Sequence, residues 1–250
     1  MIALPAFLFV AGLLVGSFLT VVAHRVPHGK SVVGGRSRCP GCDAQIAAYD
    51  NVPVLSWLTL RGRARCCGAA ISPRYPLTEL ATALLFAAVA IAFHDDPAEL
   101  ALGLVFAAVL VAVTVTDLER RIIPNKILLA GAIAAVAIVA ATDSASLPER
   151  VAAAFAAGGV LFAAALAYPR GMGLGDVKLA ATMGLFLGRD VGAAMLVALL
   201  AGSIVGLAMI ARHGAEARKQ AIPFGPFLAL GGLVALLAGE QMIDWYLGAF

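Results

Sequence analysis

Apolar runs of membrane-crossing character follow one another along nearly the whole chain, and no soluble fold can bury that many. They lie at about 3 to 23, 77 to 93, 99 to 116, 127 to 141, 151 to 168, 191 to 211 and 222 to 239, with a shorter one at 179 to 188. A spanning helix needs about 20 apolar residues and at least about 17, so the 179 to 188 run crosses only by borrowing Gly173 to Lys178. With 62% hydrophobic and 13% charged residues, the chain is far from the composition of a soluble domain. The expected fold is all-α, a polytopic helical membrane protein of about eight transmembrane helices. The first run, Ala3 to Ala23, has no basic segment before it and reads as a permanent helix, not a removable signal.

Charge placement orients the chain. With eight crossings, sixteen of the eighteen basic residues fall on one side: Arg25, Lys30, Arg36, Arg38, Arg61, Arg63, Arg65, Arg74, Arg120, Arg121, Lys126, Arg170, Lys178, Arg212, Arg218 and Lys219. Only Arg150 and Arg189 fall on the other, among Asp95, Asp96, Glu99, Asp143, Glu149 and Asp190. The positive-inside bias makes the basic side cytoplasmic. Three parts are expected: a first transmembrane helix at 1–23, a cytoplasmic cysteine-containing module at 24–76, and a transmembrane core at 77–250. The basic residues are spread over short membrane-proximal loops, which argues against nucleic-acid binding. Trp245 and Tyr246 suit an outer interfacial belt, and His94 and His213 stand at helix ends.

Two carboxylates stand out at the cytoplasmic edge. Asp117 ends the apolar run Leu100 to Thr116, and Asp176 sits in Gly171-Met172-Gly173-Leu174-Gly175-Asp176-Val177-Lys178, between two apolar runs. A carboxylate at a bilayer lip is unfavourable unless it serves a cavity or a partner. Two together cannot both ionise comfortably, so the pair supplies a base and an acid; the expected chemistry is peptide-bond cleavage. Gly173 and Gly175 would let the backbone approach an extended peptide. The competing structural reading is that each aspartate merely marks a helix end, with Lys178 or Arg120 as counter-ion. A proton-coupled transporter would instead place its carboxylates near the midplane and show a repeat.

The segment 24–76 holds all four cysteines, Cys39, Cys42, Cys66 and Cys67. Some fifty residues bury little core unaided, so such modules need metal, disulfides or docking. In a reducing cytoplasm Cys39-Pro40-Gly41-Cys42 reads as half of a tetrahedral zinc site. The expected ligands are Cys39, Cys42, Cys67 and Cys66, with His24 or His28 a remote substitute.

Gly173-Leu174-Gly175-Asp176 matches the Gly-x-Gly-Asp signature of membrane aspartic peptidases, and the whole chain resembles the type IV prepilin peptidase family. Further stretches carry the resemblance: Gly16-Ser17-Phe18-Leu19 with Arg25-Val26-Pro27, Arg38-Cys39-Pro40-Gly41-Cys42, Asp50 to Leu58, Ile71 to Leu80, and Pro223-Phe224-Gly225-Pro226. The resemblance implies that Asp117 and Asp176 are catalytic, and that the substrates are prepilins or pseudopilins, whose basic leader is cut after a glycine at the cytoplasmic face of the inner membrane. It also implies S-adenosylmethionine-dependent N-methylation of the new terminus, with Asn51 and Glu79 as participants; a peptidase without methylation is the alternative. In many family members the second cysteine pair is Cys-x-x-Cys, whereas here Ala64 takes the place of its first cysteine, with Cys66 beside Cys67.

Overall fold

The computed structural model describes residues 2–32, 34, 37–39, 41–168, 172–214 and 222–248, and the side chains of these except His213, Tyr246 and Leu247. Arg36, Pro40, Arg170, Gly171, Arg218 and Lys219 therefore lie outside the described residues, as do the side chains of His213 and Tyr246. Nine α-helices are defined among the described residues, with no β-strand. Helices dominate because a chain in lipid must satisfy its backbone polar groups within each segment. The chain divides into two compact units, Met1–His94 and Asp95–Phe250.

The first unit holds α1 (Ala3–Arg25), α2 (Leu55–Thr59) and α3 (Arg74–Ala92). Helices α1 and α3 pack antiparallel through Gly12 and Gly16, one turn apart on α1. A methyl group added at Gly12 would lie 2.6 Å from the Cα of Ala83, and one at Gly16 would lie 2.7 Å from the Cα of Glu79. Small residues four apart give two helices close backbone approach where lipid offers no hydrophobic drive. Between these helices the insertion folds into short 3-10 turns at Val26–His28 and Ala48–Asn51, the helix α2, and two tight turns closed by the isolated bridges Arg38–Gln45 and Arg63–Ala70.

The second unit holds α4 (Pro97–Arg120), α5 (Asn125–Thr142), α6 (Leu147–Ala167), α7 (Leu174–Leu187), α8 (Val191–His213) and α9 (Gly225–Gly248). Asp96 caps α4, its carboxylate accepting from the amides of Ala98 and Glu99 at 2.9 and 3.0 Å. That helix stops at Arg121, which takes a left-handed conformation.

Seven stretches are long and apolar enough to cross a membrane, and one of them, Leu174–Arg212, contains both α7 and α8. The structure resolves it into two helices. Helix α7 runs antiparallel to α6, with Gly184 against Ala154 and Gly158 against Ala181. The chain then breaks at Gly188, whose φ is +55°. Helix α8 returns alongside α9, Gly231 meeting Ala194 and Gly202 meeting Phe224. The short run thus begins five residues before its apolar stretch, at Leu174, and forms a helix of fourteen residues. Its far end is held by protein. The guanidinium of Arg150 donates to the backbone oxygen of Phe186 and pairs with Glu99 at 2.8 Å.

Candidate active site and cysteine cluster

Asp117 occupies the last turn of α4 and is only 5% exposed. Its Oδ2 accepts a 3.0 Å hydrogen bond from the amide of Gly225, the first residue of α9. A helix N-terminus offers unsatisfied amides and a positive dipole end, so it suits a carboxylate. Gly225 fits there because a methyl group in its place would stand 2.6 Å from that same oxygen. Arg121 lies within electrostatic reach of Asp117.

Asp176 is the third residue of α7 and is 9% exposed. Its Oδ2 accepts from the amide of Gly173 at 3.3 Å, a local bond that starts the helix. The Asp117 and Asp176 carboxylates, brought from α4 and α7, lie within electrostatic reach of each other. Lys178 reaches away to the Asn125 side chain, at 3.0 Å, and ties the start of α7 to the start of α5.

Gly173 and Gly175 flank this carboxylate. Gly173 has φ −82°, a value open to any residue, and a methyl group on it would stand 3.3 Å from Asp176 Oδ2. Gly175 faces Ile123, 3.1 Å from where its Cβ would be. Both glycines therefore have a packing reason within the protein. Gly225 and Ile123 were not singled out by the sequence reading. Gly225 did lie inside the Pro223 to Pro226 motif, whose glycine between two prolines, opening an apolar run, is the signal that points to it.

In the first unit the four cysteine Sγ atoms lie within 4.8 Å of one another. Cys39 and Cys67 are 3.6 Å apart, Cys42 and Cys66 3.3 Å, and Cys66 and Cys67 3.9 Å. Four thiolates around one tetrahedral zinc, each about 2.3 Å from it, would stand about 3.8 Å apart, so the donor set fits a metal ion. The turns explain the convergence. The amide of Asp43 donates to Cys39 O, and that of Gly68, in the left-handed conformation, to Ala64 O, both at 2.8 Å. The adjacent pair Cys66 and Cys67 enters the cluster together despite Ala64. His24 and His28 face each other with tilted rings, centroids 5.3 Å apart, outside the cluster. The backbone amide of Gly41 lowers the Cys39 thiol to about 7, while hydrogen bonding with Cys42 pushes Cys66 up to about 12.

The segment after Asn51 is tied to Glu79. Asn51 ends a 3-10 turn; three residues on, the amide of Val54 donates to Glu79 Oε2 at 2.7 Å. Glu79 is 8% exposed. Val54 is held at φ +60°, a conformation a β-branched residue adopts only when its surroundings enforce it.

Comparison with known proteins agrees along the chain. The family model described as Bacterial Peptidase A24 N-terminal domain matches residues 10–93, and that of the Type IV leader peptidase family matches residues 104–211. A protein of Aeromonas hydrophila named prepilin leader peptidase/N-methyltransferase is 36% identical over 97% of this chain and 93% of its own length. One of the same name from Bacillus subtilis (strain 168) is 36% identical over 96% of each chain. One from Myxococcus xanthus (strain DK1622) is 41% identical over 83% of this chain and 64% of its own. No solved structure matches. The chain is a multi-pass membrane protein and a member of the type IV leader peptidase family.

Proposed function

We propose that the chain is an aspartic endopeptidase of the inner membrane. It removes the basic leader of prepilins or pseudopilins after a glycine, at the cytoplasmic face. The observation that carries this reading is that Asp117 and Asp176, two nearly buried carboxylates from different helices, lie within electrostatic reach of each other. The basic loops support the sidedness, since Arg120, Arg121 and Lys126 follow Asp117 and Lys178 follows Asp176.

The two carboxylates flank a water molecule. One takes a proton as the water oxygen attacks the scissile carbonyl carbon, and the other donates a proton to the carbonyl oxygen. Collapse of the tetrahedral adduct breaks the C–N bond, with a proton passing to the leaving amine. Gly225 keeps Asp117 turned toward α9 throughout. Gly173 and Gly175, packed against Asp176 and Ile123, would keep bulky side chains away from the start of α7, where an extended peptide would lie. A substrate anchored by its own apolar helix presents its cleavage site at the bilayer edge, so the dyad must work at that depth.

Zinc is the metal we assign to Cys39, Cys42, Cys66 and Cys67, in a structural role: it would cross-link two turns of a module with little core. N-methylation of the new terminus extends to this chain the second half of its relatives' printed name. S-adenosylmethionine, when bound, supplies the methyl group. Asn51 and the buried Glu79 would hold it, the carboxylate offering a counter-charge to the cofactor's sulfonium. Incubating the purified chain with a prepilin, with and without S-adenosylmethionine, tests both activities by product mass. Loss of the leader supports the peptidase and a further methyl mass supports the transferase; an unchanged substrate contradicts the proposal.

A further inference from the structure

The segment Tyr49–Leu58 presents a row of apolar side chains that the protein leaves uncovered. Tyr49, Val52, Leu55 and Leu58 recur every third residue and are all exposed. Loops on a soluble module do not normally expose such a row. Three interactions hold the backbone behind it. Arg65 forks onto both oxygens of Asp50 at 2.9 to 3.0 Å, Ser56 Oγ bridges the Val52 amide and Tyr49 oxygen at 3.0 Å, and Trp57 Nε1 donates to Ile71 O at 3.0 Å. The backbone that carries these exposed apolar side chains is therefore fixed.

Its depth follows from Glu79. The Val54 amide is bonded to this carboxylate, and the backbone of Glu79 packs against Gly16 of α1. From Gly16 to the helix end at Arg25 is nine residues, about 13 Å at 1.5 Å each. Side chains on a helix lean toward its N-terminus, which here is the module end, so Glu79 reaches back by a few Å. The segment thus lies roughly 10 Å short of the end of α1, at the level where α3 exposes Tyr75 and Leu77. That is the depth at which amphipathic segments rest between headgroups and acyl chains. Charge agrees. Residues 24–76 carry eight basic and two acidic side chains, and exposed Arg61 and Arg63 follow α2 directly, as suits anionic headgroups.

We propose that Tyr49–Leu58 is a bilayer-docking element: Tyr49, Val52, Leu55 and Leu58 enter the interfacial layer of the lipid, so that the cysteine module is seated on the membrane and not suspended above it. The proposal is independent of the peptidase reading.

The test places an environment-sensitive, genetically encoded fluorophore at position 55, and separately at 58, of the full chain in phosphatidylcholine/phosphatidylglycerol vesicles containing brominated acyl chains. Phe18, exposed on α1, serves as the lipid-facing reference position, and Ala44, exposed in the cysteine module, as the aqueous one. The expected result at 55 and 58 is bromine quenching at least roughly half that at 18, with little quenching by aqueous iodide. Iodide quenching equal to that at 44 would overturn the proposal. So would a reporter shielded from both quenchers, which would mean that protein covers this face.

Discussion

The amide of Gly225 donates to Asp117 Oδ2 at 3.0 Å, so the first residue of the last helix fixes the orientation of a carboxylate on α4. No side chain fits at that position without displacing the carboxylate it faces. Gly225→Ala is therefore expected to lower kcat for prepilin cleavage by on the order of 100-fold, since small misplacements of a reacting group have effects of that size. KM should change little, because Gly225 acts on the orientation of the carboxylate. Steady-state cleavage of a purified prepilin measures both constants. A normal kcat would mean that Asp117 tolerates reorientation.

The α1–α3 pair depends on backbone approach at Gly12 and Gly16. Gly16→Leu should destabilise the first unit by about 1–3 kcal/mol, the usual cost of overpacking. Thermal unfolding in detergent, followed by protease sensitivity of the cysteine module, reads this out. A substitution at exposed Phe18 is the control and should leave the transition in place.

The far end of α7 is secured by Arg150, which joins the Phe186 carbonyl to Glu99. Arg150→Ala leaves that carbonyl without its charged donor, and a loss of about 1–3 kcal/mol is expected. Glu99→Gln should cost less, because Glu99 is 39% exposed where Arg150 is 14% exposed. Comparing their melting temperatures orders the two effects.

Purified protein should contain about one zinc per chain, and Cys39→Ser should release it. Acid should release it as well. The fold lowers the Cys39 thiol from 9.0 to about 7, so its thiolate persists above neutrality and is lost as pH falls through that value. Protons then compete with the metal, and zinc affinity falls on acidification. Metal analysis after dialysis at pH 8 and pH 5 checks the sign; equal retention at both would contradict thiolate ligation.

The parts of this fold that were legible in sequence are those that lipid dictates. Long apolar runs had to become helices, and the helix ends fell near the predicted ones because Asp96, Pro97 and the polar segment after Asp117 mark them. The extent of α7 was less legible, since Leu174–Lys178 is glycine-containing and charged yet helical, and its far end is held by Arg150 from another helix. Asp117, Asp176 and the four cysteines announced themselves by chemical type. Gly225 did not, because its reason lies in an oxygen more than a hundred residues away. Nor did the Glu79–Val54 bond, which depends on a strained backbone conformation that no local sequence pattern specifies.

The central claim is that Asp117 and Asp176 together cut the leader. It is tested most directly by assaying Asp117→Asn and Asp176→Asn, each confirmed as inserted and folded, for cleavage of a prepilin in vesicles. Each should process the substrate at least about 1,000-fold more slowly than the parent, since neither leaves an acid/base pair. Parent-like cleavage by either variant would show that the bond is broken without the dyad.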